Sequence, residues 1–213
     1  MRVVVFGASG AIGGCVTREL VRRGHTVKVV AQVGAPASPP KAPLIGVVAE
    51  VTNPSSVSEA VRGADAVISA IGPRKGQPPS VLTAAARGLL HGLHQAGVSR
   101  LVVVGGAGSL EVAPGVQLLD TPSFPPEGKP VAEAHRAALE IYRADPEIEW
   151  TVISPAAIVE PGTRSGHYRA GAEQLLVDGR GESRISTEDY AVAVVDELET
   201  PRHIRRRFVV VAA

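Results

Sequence analysis

The chain has 213 residues, 45% of them hydrophobic and 20% charged, which is enough apolar sequence to bury a core and too much for wholesale disorder. A formal net charge of +1 gives no electrostatic case for nucleic acid or an anionic membrane as the main partner. The single cysteine, Cys15, excludes an internal disulfide and no apolar run reaches membrane-spanning length, so the expectation is a cytoplasmic protein of one domain over residues 1–213. A small molecule is its expected partner, and it is expected to be a monomer or a homodimer.

In chain order, the apolar run at 2–6 passes into Gly7, Ala8, Ser9, Gly10, Ala11, Ile12 and Gly13, then a helix at 11–23 and a second apolar strand at 26–30. Glycines three apart at a strand-to-helix junction are a dinucleotide-binding signature. Gly7 allows the tight turn, Gly10 lets a pyrophosphate approach the backbone, and Gly13 brings the helix close to the strand. The exposed N–H groups of the helix start would meet the phosphates. Residues 33–43 carry four prolines and read as a loop. A strand follows at 44–49, then a helix opened by Asn53 and Pro54 and running to about residue 62. Further strands are expected at 65–70 and 100–104, with a helix at about 79–96 between them.

Beyond Gly105 the rhythm breaks until a helix at about 130–144 and a strand at 149–153. Residues 155–185 are again irregular, before a helix that Ser186 caps and a last strand at 207–211. Regular alternation of this kind predicts an α/β fold, a single Rossmann-like doubly wound parallel sheet flanked by helices. The expected strand order is 3-2-1-4-5-6 with a seventh added, and the two irregular stretches form small substrate-side insertions at the edge where such sheets bind ligands. The basic cluster 202–207 reads as a solvated turn.

These motifs, together with 105–112, Ser154-Pro155-Ala156-Ala157 and 181–191, resemble the atypical short-chain dehydrogenase/reductase superfamily. Within it the chain is similar to the small NAD(P)H-binding branch of NADH-flavin reductases, NmrA-like proteins and biliverdin-IXβ reductases. The resemblance implies NADH or NADPH as cofactor. Gly7 to Gly13 would hold the pyrophosphate, Glu50 and Val51 would flank the adenine, and Ala70, Ile71 and Gly72 would run beside ribose and diphosphate. Gly105 and Gly106 would lie near the nicotinamide ribose, with Pro155 and Ala156 on the nicotinamide's flank. Gln32 stands where relatives preferring NADPH carry arginine; it can bond a ribose hydroxyl but brings no charge, which inclines the preference to NADH without deciding it.

Ordinary members of the superfamily also carry Tyr-x-x-x-Lys, the tyrosine giving a proton to a carbonyl. None of Tyr142, Tyr168 and Tyr190 has a lysine four positions on. Reduction of a flavin tolerates that loss, because the charge left after hydride transfer delocalises over the ring. The resemblance therefore implies an NAD(P)H-dependent oxidoreductase with flavin or another conjugated acceptor as substrate. The alternative is a non-catalytic NmrA-like redox sensor. A sugar-nucleotide epimerase fits less well, the chain after residue 153 being short for a nucleotide-sugar lobe. The segments 106–112, 121–129 and 155–168 are expected to enclose the acceptor, with Ser109 and Lys129 as candidate catalytic residues on its wall and Phe124, His167 and Tyr168 nearby.

Overall fold

The structure is a computed structural model that describes residues 1–31 and 44–213. Its first strand, β1 (Arg2–Phe6), leads through the glycine turn into α1 (Ala11–Arg22), and β2 (Thr26–Ala31) returns parallel to β1. Next come β3 (Leu44–Val48), α2 (Pro54–Val61), β4 (Ala66–Ser69), α3 (Val81–Ala96) and β5 (Arg100–Val104). After them β6 (Glu111–Ala113) and β7 (Val116–Gln117) form a small antiparallel hairpin, followed by α4 (Lys129–Arg143) and β8 (Glu149–Ser154). The chain closes with β9 (Ile158–Glu160), β10 (Tyr168–Gly171), β11 (Arg184–Ser186), α5 (Thr187–Glu199) and β12 (Arg206–Ala212).

The main sheet has eight strands in the order β10-β12-β8-β5-β4-β1-β2-β3. All pairs are parallel except β10 with β12. The expected doubly wound order is therefore present, with β8 as the sixth strand and β12 as the seventh. An eighth, β10, lies inside a stretch that reads as irregular in sequence. Tyr168-Arg169-Ala170-Gly171 has no apolar alternation of its own; the open edge of β12 gives its backbone groups partners.

Alternation along β1 sends its side chains to opposite faces. Val3 and Val5 pack with α1 and α5, while Val4 and Phe6 pack with α2, α3 and α4. Both faces are thus covered, as a buried parallel sheet requires. Local chemistry sets the helix ends. The Asn53 side chain accepts from the N–H groups of Ser55 (3.0 Å) and Ser56 (3.3 Å) at the start of α2, and Gly97 closes α3 in the left-handed region at φ 66°. Ser186 caps α5 by accepting from the Asp189 N–H at 3.0 Å.

One basic residue departs from its expected solvated place: Arg207 is 7% exposed. It falls on an inward-facing position of β12, beside Val152 of β8, and donates to the Ser109 Oγ at 2.7 Å and to Glu173. Burial of its charge is tolerated because a carboxylate and a hydroxyl meet it there. Among the described residues no helix is long and apolar enough to cross a membrane.

Candidate functional site

At the carboxyl ends of β1 and β4, where the strand order reverses direction, the sheet opens into a cleft of about 570 Å³. Gly7 makes its floor. It sits at φ 82°, and a methyl group on it would lie 2.3 Å from the Ala70 carbonyl oxygen, so a side chain is barred by both conformation and space. Gly13 is barred by space alone, since a methyl group there would lie 2.1 Å from the Gly7 oxygen. Gly10 differs. Its nearest neighbour would be the Gly7 oxygen at 3.4 Å, so the protein itself leaves room for a side chain there. Gly10 is the N-cap of α1 and no side chain caps that helix. The first-turn N–H groups therefore face the cleft without an intrahelical acceptor, which is the donor set that suits a diphosphate.

Of the residues expected to hold the cofactor, Gly7, Ser9, Gly10, Ala11, Ile12 and Gly13 line the cleft. So do Val51, Ala70, Ile71, Gly72 and Gly105. Gly106 lines instead a second, smaller chamber of about 20 Å³ behind Gly105, enough for one water molecule. Ala8, Glu50, Pro155 and Ala156 line neither, and the Glu50 carboxylate accepts from the Thr52 hydroxyl at 2.9 Å. Gln32 lies outside the described residues. Arg74 and Gln77, on the loop after β4, also line the cleft, and Arg74 brings a positive charge to its wall.

The two candidate catalytic residues part company. Ser109 is buried and lines the smaller chamber, where its hydroxyl and carbonyl oxygens both accept from Arg207. Lys129 is the exposed first residue of α4 and lines neither cavity. Nor does any tyrosine line the cleft. Tyr190 donates to the Ile153 carbonyl and Tyr168 to Asp196. Tyr142 is buried against the chamber, where desolvation raises its pKa well above the phenol range.

His135 is the residue that sequence reasoning passed over. It lines cleft and chamber alike, and burial pushes its pKa down to about 4. A signal was available: His135 shares the inward stripe of α4 with Ala138, Leu139 and Tyr142 at helical spacing. The backbone it faces is held firmly, because Gly105 N–H donates to the Ile153 oxygen (2.8 Å) and Ser154 Oγ donates to the Gly106 oxygen (2.9 Å).

A family model described as NAD(P)H-binding matches residues 7–201. Three solved structures are similar over essentially their whole length. One, from Burkholderia pseudomallei and provisionally named an exported protein, is 44% identical, with 99% of each chain covered and a TM-score of 0.90. A second, from Bacteroides thetaiotaomicron and provisionally named an epimerase, is 37% identical over 99% of this chain and 96% of its own, with a TM-score of 0.91. The third, from Streptococcus pneumoniae and provisionally named an NADH-flavin reductase, is 32% identical over 100% of both chains, with a TM-score of 0.88. With a glycine-floored cleft at the sheet's reversal point, an uncapped helix start facing it and a family match over most of its length, this chain belongs to the NAD(P)H-binding family of Rossmann-like proteins.

Proposed function

We propose that the protein is an NAD(P)H-dependent oxidoreductase whose second substrate is a conjugated carbonyl acceptor such as a flavin or a quinone. The observation that carries this reading is a cleft that fits a dinucleotide and has no tyrosine on its wall. A bound reduced nicotinamide supplies a hydride. The chain's own residues provide the rest: α1 N–H groups and Arg74 for the diphosphate, apolar Ile71 and Val104, and the tightly held Gly105–Gly106 backbone as a flat support. Reduction of an isolated ketone or oxidation of a sugar alcohol needs a positioned acid or base at the reacting oxygen. A conjugated ring delocalises the charge and asks mainly for alignment. This same gap counts against an epimerase. The NADH-flavin reductase name of the Streptococcus pneumoniae relative agrees with the proposal.

The test is steady-state oxidation of NADH and NADPH with FMN, FAD and menadione, alongside calorimetric titration of each nucleotide. Binding with turnover of at least one acceptor is expected. Tight nucleotide binding with no turnover of any of them would move the protein to the non-catalytic sensor reading.

A further inference from the structure

Four residues line both the cleft and the chamber behind it, Ile71, Val104, Gly105 and His135, and His135 is the one with a polar side chain. Its ring is held against Gly106, where a methyl group would lie 3.0 Å from the imidazole Cγ. Among the described residues neither ring nitrogen has a hydrogen-bond partner, although the ring sits between two cavities where a donor could be used. The titratable and charged groups facing it are Arg74 from the loop after β4, Tyr142 from α4 and Arg207 from β12. No described carboxylate lines either cavity, so nothing there favours an imidazolium.

Resting on the reductase reading above, we propose that His135 binds the hydride acceptor, its neutral imidazole donating an N–H hydrogen bond to a carbonyl oxygen conjugated to the atom that is reduced. The acceptor gains one hydrogen and two electrons as hydride, with the nicotinamide oxidised in the same step. Negative charge then develops on the acceptor's carbonyl oxygen. His135 stabilises that oxygen through its N–H and keeps its proton, while a proton from solvent completes the reduction. Because the imidazole's pKa is pushed down to about 4, it is neutral at physiological pH, the form able to polarise a carbonyl without protonating it. This selects acceptors with a carbonyl beside the reducible position, as in flavins and quinones, over those without one.

The test compares wild type, His135→Leu, which removes both nitrogens, and His135→Gln, which keeps an N–H donor. With menadione and FMN as acceptors, His135→Leu is expected to lower kcat about 100-fold. NADH affinity by calorimetry should stay within about twofold, and His135→Gln should recover most of the rate. Imidazole NMR of the ligand-free protein, with the His135 signal assigned by its loss in His135→Gln, should show a neutral ring from about pH 5.5 to 8. Turnover by His135→Leu close to wild type overturns the role of His135 and leaves the reductase reading standing. Loss of NADH binding in both variants makes His135 part of the cofactor wall and also overturns it. An imidazole that titrates within that pH range overturns the neutral donor. No oxidation of NADH or NADPH by wild type with FMN, FAD or menadione overturns both readings together.

Discussion

At one end of the cleft the wall is backbone, and at the other it is side chain. Around Gly7, Gly10 and Gly13 nothing projects: two of the three glycines exclude a methyl group by contact with their own chain, and the third leaves its space to a ligand. Behind Gly105 the chamber is filled by Arg207, Ser109, Tyr142 and His135, drawn from β12, the segment after β5, and α4. A wall of peptide groups serves a cofactor whose diphosphate is invariant. A wall of side chains can be changed one residue at a time, and with it the molecule that it can contact.

Substitutions can break or sharpen that contrast, beginning with the largest effect. Gly13→Val places carbon 2.1 Å from the Gly7 oxygen and 2.8 Å from its carbonyl carbon, both backbone atoms that cannot yield cheaply. A loss of about 4 kcal/mol or more is expected, read as a collapsed urea transition. Arg207→Met should cost about 3 kcal/mol by the same measurement, since it strips the partners from Ser109 and Glu173. Its NADH affinity should stay within about threefold, because Arg207 lines the chamber and not the cleft.

Gly10→Val is the sharper probe of the backbone wall. Stability should change by less than about 1 kcal/mol, while NADH affinity measured by calorimetry falls about 100-fold, because the added carbons stand where a diphosphate would meet the α1 N–H groups. If Gly10→Val and Gly13→Val behaved alike, the distinction between structural and ligand-facing glycines would fail.

A smaller effect concerns the anchoring of α1. Glu19 is 4% exposed and accepts from Arg22, Arg23 and Arg164, with Arg164 the largest of the influences that hold its carboxyl well below the ordinary 4.5. A folded-state pKa depressed in this way contributes stability that is fully present above about pH 4.5 and is lost as pH falls below it. Urea midpoints measured from about pH 6 down to 3 should therefore decline, and Glu19→Gln should flatten part of that decline. The smallest change is expected from Lys129→Ala: less than about 0.5 kcal/mol in stability, and NADH affinity within about twofold, since the side chain is exposed and lines neither cavity.

The cofactor end was legible because its requirements are local. A strand, three glycines at fixed spacing and a helix start are contiguous, and each glycine answers a conformational need that one sequence can display. Asn53 and Ser186 were legible for the same reason, a capping side chain acting on N–H groups two or three residues away. The alternation of apolar strands and amphipathic helices likewise carried the order of seven strands, because right-handed crossovers leave few ways to arrange them.

The end of the cleft that meets the chamber was decided by contacts between distant parts of the chain. Arg207 and Ser109 are 98 residues apart and meet only because β12 lies beside β8, which lies beside β5. Ser109 reads in sequence as a free hydroxyl near a substrate; burial under a guanidinium is a property of the packed sheet. Tyr168 turns away to Asp196 because β10 pairs with an open edge of β12, a pairing that its four residues do not announce. His135 was one scattered histidine among six until α4 packed its inward stripe across Gly106. Sequence alone determined the seven parallel strands of the main sheet, the five helices, their order and the glycine turn, since these follow from short-range sterics and periodicity. Which polar groups face the cleft, and which are consumed by one another, depended on long-range packing, where a residue's role is set by neighbours far from it along the chain.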